Sequence, residues 1–509
     1  MKGALVDASR DAPGELTADV CIVGSGCGGA TAAWELALAG RDVVVLEEGG
    51  DYTGDALTQR DGEMYDQLYM ERGGRATSDL AINVLQGRAL GGGGVINACD
   101  VVPLSDGVLR HWEKAHGLSD FSPEKLEPYR QRALADLSAS TPDEELLNRN
   151  NLLLRKGALA LGWKGGLMMH NRTDCASIGC CLIGCPVDAK RNPRFVAVPA
   201  ALSAGARFYL RARAVKLEGA TAEVKTVRAA RLDEKGYRER EPFSVRAKQV
   251  ILAANAIASA ELLLRSGVGN AHVGRNLSLQ PQLPITGIFE EPVRFFRGIP
   301  QSFAVTEFEQ HADADRPLGG FRIEAIGGTP GIVASLNGLL GQEGKAWMQA
   351  FPRMAAALLL VPDLGNGRVR VERSGRLRID YEIPPEQQAR YRSAAKAAAR
   401  LYLAAGAKEV AVPTVIPTRV TRESELDRLD ALDFLPATTP FLSAHQQGTV
   451  RFASSERDGG ARPDGEVWGT RGVYVFDSSG FPTSASSHIM APIIAVSRYL
   501  ARQLLSKGA

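Results

Sequence analysis

Ala18-Asp19-Val20-Cys21-Ile22-Val23-Gly24-Ser25-Gly26-Cys27-Gly28-Gly29 is the stretch that decides the fold of this 509-residue chain. A short apolar run stops at a cluster of glycines, and Ala30 to Leu38 then reads as a helix. A second apolar run, Asp42 to Leu46, ends in Glu47, 23 residues after Gly24. Strand, G-x-G-x-x-G, helix, strand and acid together specify the mononucleotide-binding half of a doubly wound sheet. Each part has a physical task. Gly24 permits the tight turn, Gly26 lets the backbone approach a pyrophosphate, and Gly29 lets the helix pack closely on the strand. The helix N-terminus faces the phosphates, and Glu47 takes a ribose hydroxyl. A glycine-rich turn would explain the glycines but not the strands and the acid around them. Acids at both Glu47 and Glu48, with no arginine to meet a 2′-phosphate, disfavour NADP.

Outward from this stretch, Gly87-Arg88-Ala89-Leu90-Gly91-Gly92-Gly93-Gly94-Val95-Ile96-Asn97 removes side chains at four successive positions. Such a segment can lie against a flat ring system, with Asn97 as a polar handle; a flexible linker is the alternative. At the far end, Ser443 to Leu505 holds His445 in A-H-Q-Q-G-T and His488 in Ser486-Ser487-His488-Ile489-Met490. Between them the apolar run Val473 to Phe476 ends at Asp477-Ser478-Ser479, so a second strand finishes in an acid. The helix expected over Ala491 to Leu505 points its N-terminus at the same place. Its dipole and free N–H groups favour negative charge at N1 and the C2 oxygen of a reduced flavin, a reason to expect FAD rather than NAD.

Composition limits the alternatives. Sixty basic against 58 acidic side chains, without long runs of one sign, disfavour nucleic acid as the main partner. Met1 to Leu16 is polar and has no signal-like apolar core, and the most apolar stretches, Val250 to Leu264 and Ala355 to Val361, are alanine-rich or too short to cross a bilayer. Seven cysteines, four of them within Cys175-x4-Cys180-Cys181-x3-Cys185, fit a cytoplasmic chain better than a disulfide framework. That cluster prompts zinc or iron–sulfur, but it lacks a C-x2-C pair and its adjacent cysteines cannot easily face one ion, so buried inert thiols without a metal are expected.

The length implies more than one domain. The expected fold is α/β with an α+β part: a discontinuous Rossmann-like FAD-binding domain (1–105, 200–280 and 443–509), a helical cap with the cysteine loop (106–199), and an antiparallel-sheet substrate domain (281–442). Helices are expected over Glu124 to Leu137, Leu152 to Leu161, Ala258 to Arg265 and Gln387 to Ala405. Ala206 to Leu217, which carries Val215, reads as one strand returning to the nucleotide domain. Val250 to Ala253 reads as a buried strand, and Phe303 to Phe308 and Arg368 to Ile383 alternate as strands do. Lys235-Gly236 and Asn366-Gly367 are hairpin signals. Trp347 to Leu360 reads as an apolar helix that either walls a substrate pocket or fills core.

The chain resembles the glucose–methanol–choline (GMC) oxidoreductases. The likeness runs through V-G-S-G-C-G-G with Glu47, G-R-A-L-G-G-G-G-V-I-N, A-A-N-A-I-A-S-A-E-L-L-L-R-S-G-V-G, V-G-R-N-L, H-Q-Q-G-T and D-S-S-G-F-P-T-S-A-S-S-H. The cysteine loop is similar to the long-chain alcohol oxidase branch. The resemblance implies a flavoenzyme oxidising a primary or secondary alcohol, long-chain or bulky and hydrophobic, to an aldehyde or ketone. It makes His445 the base and His488 the second active-site group. A neutral imidazole would take the hydroxyl proton while carbon gives hydride to flavin N5; two close imidazoles should titrate together, one staying neutral near pH 7. The expected cofactor contacts are Gly24, Gly26, Gly29, Glu47, Gly91, Gly92, Gly93, Asn97, Val215, Asp477, Ser478, His488 and Ile489. His111, His116, His170, His272 and His311 have no such context. The family's flavin-linking histidine is replaced by Ile96, so non-covalent FAD is expected. Gly93 and Val450 replace a serine and a cysteine without removing a catalytic group. Oxygen or a quinone or protein carrier would take the electrons. A hydroxynitrile lyase using the same histidines, and a metal or redox sensor built on the cysteine loop, are the alternatives.

Overall fold

The Leu16–Val23 strand lies inside an eight-stranded sheet, flanked in parallel by Val43–Leu46 and Glu239–Leu252. Beyond Val43–Leu46 come Arg207–Leu210 and Ala4–Asp7, also parallel. Val20 to Val23, Val43 to Leu46 and Val250 to Leu252 are buried, the pattern of strands covered on both faces. Glu239–Leu252 serves two partners along one edge. Its first part pairs antiparallel with Lys225–Leu232 across the Lys235-Gly236 turn, and its last three residues pair in parallel with Val473–Val475. Four strands therefore end at one rim, at Gly24, Glu47, Ala253 and Asp477. In an open α/β sheet that rim is where a nucleotide binds. The Cys27–Leu38 helix covers one face together with Ala197–Ser203 and Met490–Ser506. The computed structural model describes residues 3–11, 13–309, 319–336, 339–415, 417–436, 438–485 and 487–507, so His311 and Ser486 lie outside the described residues.

A nine-stranded, mostly antiparallel sheet forms the second half. Its order runs from Thr418–Val420 through Glu409–Val412, Gln282–Ile288, Met354–Leu360, Arg322–Ala325 and Phe303–Val305 to Gly165–Leu167. Phe441–Ser443 pairs with Gln282–Ile288 and, in parallel, with Ile82–Val84. The Pro385–Ala405 helix packs on this sheet and on Arg149–Leu161, while Pro123–Asp136 packs on Met490–Ser506. Arg498 links the latter pair to the first helix, with Nε 2.9 Å from Glu35 and Nη1 on Asp136. Among the described residues, no helix is long and apolar enough to cross a membrane.

Three sequence expectations are corrected. Trp347 to Leu360 is not one helix: Gly341–Ala350 is helical, Phe351–Arg353 makes a 3-10 turn, and Met354–Leu360 is a wholly buried strand. A continuous apolar run carries no period, so only its partner strands decide between helix and strand. Asn366-Gly367 is not a hairpin turn; Gly367 opens the Gly367–Val371 strand, and Gly375, at φ +82°, turns the chain into Leu377–Asp380. These strands and Arg275–Leu277 form a separate three-stranded sheet. Ala206 to Leu217 is two strands, broken at Arg211 (φ +50°), whose Nη1 meets Asp7 and whose N–H donates to Gly49 O at 3.1 Å. Arg207–Leu210 lies on one side of the sheet and Ala212–Glu218 at the opposite edge.

Candidate active site

A cavity of about 870 Å³ runs from the strand-end rim to the face of the second sheet. Gly24, Gly26, Glu47, Gly92, Gly93, Asn97, Val215, His445, Asp477, Ser478, His488 and Ile489 line it; Gly29 and Gly91 stand behind the wall. The glycines divide by what would occupy their side-chain space. A Cβ on Gly28 would strike Phe476 O, and one on Gly29 would strike Gly24 O, so both are needed for packing. A Cβ on Gly26 would meet only Gly92 Cα, at 3.8 Å, and one on Gly93 nothing within 4 Å. There the vacant space belongs to the cavity, a cradle that fits a dinucleotide pressed against bare backbone. The Cys27–Leu38 and Met490–Ser506 helices start at this wall without a side-chain cap, leaving N–H groups for a ligand.

The two rim acids organise turns. Glu47 accepts from Ser25 N–H (3.0 Å), Ser25 Oγ (2.7 Å) and Gly49 N–H (2.8 Å). Asp477 accepts from Ser259 Oγ (2.6 Å) and Ser479 N–H (2.8 Å). Burial pushes both carboxyls above their ordinary range, against these hydrogen bonds. Asn97 Nδ2 lies 3.3 Å from Met490 Sδ, which joins the glycine segment to the last helix.

His445 and His488 meet edge to face, ring centroids 5.0 Å apart. His445 is buried, and Nδ1 lies 2.6 Å from Gln280 Oε1 and 3.2 Å from Gln282 Nε2. Burial, and then the charge of His488, lower its pKa to about 3, so it is neutral near pH 7. His488 goes the other way. Burial opposes its charge, but Glu324 and then Asp100 outweigh that and raise its pKa. Nε2 donates to Glu324 Oε2 at 2.8 Å, and Nδ1 is 4.0 Å from Asp100 Oδ2. The pair thus holds one imidazole biased toward its neutral form and one biased toward its protonated form.

Glu324 is the residue the sequence did not announce. It is 0 % exposed, and its pKa lies at about 2 because His488 and Arg322 outweigh the burial that would raise it. Arg322 Nε stands 3.1 Å away, and Gln301 Nε2 donates at 2.5 Å. His170, read above as lacking context, sits behind this network with Nε2 2.5 Å from Gln301 O and 3.5 Å from Asp100. In R-I-E-A the charges alternate with apolar residues, the pattern of a strand with one wet face. Here that face turns into the site.

The far wall is apolar. Phe295, Ile326, Ile332, Val333, Leu336, Trp347, Met354, Ala356 and Leu358 line it, the last three from alternate positions of one strand whose intervening residues face the core. The cysteine loop touches the wall only through Leu182. Lys190, buried, donates to the carbonyls of Val95 (2.8 Å), Asn97 (2.7 Å) and Cys181 (2.5 Å), strapping the loop to the glycine segment. Cys181 hydrogen-bonds Cys99, which together with Arg172 and Lys190 draws its thiol below the ordinary range despite burial. Among the described residues, no group of three or more His, Cys, Asp or Glu is arranged to hold a metal.

Comparison with known proteins matches this architecture. The GMC oxidoreductase family profiles match residues 65–282 and 364–497, and a NAD(P)-binding Rossmann-like domain profile matches residues 22–83. An uncharacterised GMC-type oxidoreductase of Mycobacterium tuberculosis is 34% identical over 98% of this chain and 77% of its own length. A long-chain-alcohol oxidase of Arabidopsis thaliana is 26% identical over 94% of this chain and 65% of its own. Among solved structures, pyridoxine 4-oxidase from Mesorbium loti superposes with a TM-score of 0.72 at 18% identity, covering 96% of this chain and 99% of that one. Formate oxidase of Aspergillus oryzae gives 0.69 at 14%, covering 97% and 99%. The chain belongs to the GMC oxidoreductase family and is an FAD-dependent oxidoreductase acting on CH–OH groups.

Proposed function

We propose that this protein oxidises a bulky or long-chain apolar primary or secondary alcohol to the aldehyde or ketone. The observation that supports this best is the edge-to-face pair of His445, facing neutral glutamines, and His488, facing Glu324, 5.0 Å apart at the head of an apolar wall. Gly24, Gly26, Glu47, Gly92, Gly93, Asn97, Val215, Asp477, Ser478 and Ile489 would hold FAD, with Gly29 and Gly91 behind them. Bound FAD supplies the hydride acceptor. His445 accepts the hydroxyl proton of the alcohol. His488, protonated and held by Glu324, stabilises the negative charge that gathers on the substrate oxygen as the proton leaves. Phe295, Trp347 and Leu358 exclude water and receive the hydrocarbon part. The alcohol loses one proton and one hydride, and its two electrons pass on to oxygen, giving peroxide, or to a quinone or protein carrier. The similarity to long-chain-alcohol oxidases favours oxygen.

Ile96, an apolar residue at the cavity wall, supports non-covalent FAD. Seven unpaired cysteines support a cytoplasmic location. The division into FAD-binding segments (1–105, 200–280, 443–509), the 106–199 segment and the 281–442 substrate domain remains our proposal. Anaerobic mixing with a panel of alcohols of increasing chain length tests the function: long apolar alcohols should bleach the flavin band, and short polar ones should not. A yellow protein that no alcohol bleaches, but that cleaves cyanohydrins, would overturn it in favour of the lyase.

A further inference from the structure

His445 is gripped by two glutamines outside the segment that carries it. Gln280 Oε1 and Gln282 Nε2 both approach Nδ1, at 2.6 and 3.2 Å, and both side chains are buried. These contacts demand opposite protonation. An amide oxygen accepts and needs a proton on Nδ1, whereas an amide N–H donates and needs the lone pair there. The shorter contact decides: at 2.6 Å two facing lone pairs would repel, while 3.2 Å is at the long end of a hydrogen bond.

We infer that Gln280 is a positioning residue that keeps the proton of His445 on Nδ1 and presents an unprotonated Nε2 to the cavity. The inference rests on the reading of His445 as the base. Two further observations mark Gln280 as held for this task. Its backbone is left-handed, at φ +42°, immediately before Pro281, a position that steers residues away from helical conformations. Asp363 stabilises that bend by accepting from Gln280 N–H (3.2 Å), Leu279 N–H (3.0 Å), Ser278 Oγ and Tyr381 OH. In addition, Gln280 Nε2 is buried without a hydrogen-bond partner, so the amide is oriented for its oxygen at the expense of its nitrogen. The charged groups that face His445 are His488 and, behind it, Glu324; neither touches Nδ1.

The tautomer is directly measurable. In the FAD-loaded wild-type protein labelled with 15N-histidine, the resonance lost in His445→Ala should show Nδ1 protonated and Nε2 bare near neutral pH; the reverse assignment overturns the inference without any substrate. In Gln280→Leu, only Gln282 remains to donate to Nδ1. The proton should move to Nε2, and flavin reduction by alcohol should slow by about 10²-fold or more at unchanged flavin content and substrate affinity. Gln280→Glu keeps the acceptor and adds a negative charge. It should retain the rate on the plateau and shift the acid limb of the pH profile upward. Gln282→Leu removes the competing donor and should leave the proton of His445 on Nδ1 in the same 15N spectrum. A Gln280→Leu enzyme within about threefold of wild type, or a loss confined to Gln282→Leu, refutes the proposal. If wild type shows the expected tautomer but no alcohol reduces its flavin, the proposed function fails and the role of Gln280 stands.

Discussion

Replacing Glu324 by glutamine tests the electrostatic core of the site. The side chain keeps its volume but loses the charge that sits between His488, 2.8 Å from Oε2, and Arg322, 3.1 Å from Oε1. A charge-assisted hydrogen bond of this kind is worth about 1.5–3 kcal/mol, so removing it should make His488 roughly ten- to a hundredfold harder to protonate. Arg322 and His488 also lose their nearest counter-charge, keeping Glu309 at 3.5 Å and Asp100 at 4.0 Å, so folding stability should fall by at most about 3–5 kcal/mol. The signs follow from the folded-state shifts. Glu324 is lowered to about 2, so its contribution is present above the ordinary glutamate range and is lost as pH falls through about 2. His488 is raised, so its contribution is complete below the ordinary histidine value and is lost as pH rises through the folded-state pKa. In Glu324→Gln the alkaline limb of alcohol-driven flavin reduction should therefore move to lower pH, and the urea midpoint should fall. A stopped-flow pH series and urea titrations followed by flavin fluorescence measure both. If neither moves from wild type, Glu324 does not hold His488 as a cation and the electrostatic account collapses.

Three other outcomes are expected. His445→Ala should retain yellow FAD but lose about 10²–10⁴-fold in flavin reduction, and the wild-type rate should show no acid limb between neutrality and about pH 5, because His445 binds a proton only near pH 3. Gly26→Ala adds a Cβ that only the cavity would notice; the protein should fold with an unchanged urea midpoint as apoprotein but purify with little flavin, whereas full flavin content would show that Gly26 does not contact the cofactor. Acid precipitation should leave FAD in the supernatant, since Ile96 offers no side-chain nitrogen or sulfur for attachment; colour in the pellet would contradict this.

The nucleotide half was legible because its signals are local. Val20 to Val23, Gly24 to Gly29 and Glu47 report strand, turn and second strand within thirty consecutive residues, and backbone sterics leave few alternatives. Local signals failed where the same pattern serves two structures. Met354 to Leu360 is apolar without a period and extended the preceding helix on paper. Ala206 to Leu217 read as one strand because nothing in its composition reveals the left-handed break at Arg211.

By itself the sequence determined the sheet that binds the dinucleotide, the two histidines and their membership of a flavin-dependent family. Tertiary structure alone decided what those histidines are. His445 and His488 have the same side chain and the same ordinary pKa. One is buried against neutral glutamines, which favours its neutral form, while the other faces Glu324 and Asp100, which favour its protonated form. Glu324 lies 164 residues from His488 along the chain, and Gln280 lies 165 from His445. Charge in a protein interior depends on which groups arrive within a few ångströms after solvent has left, and that is settled only when the two sheets close around the cavity.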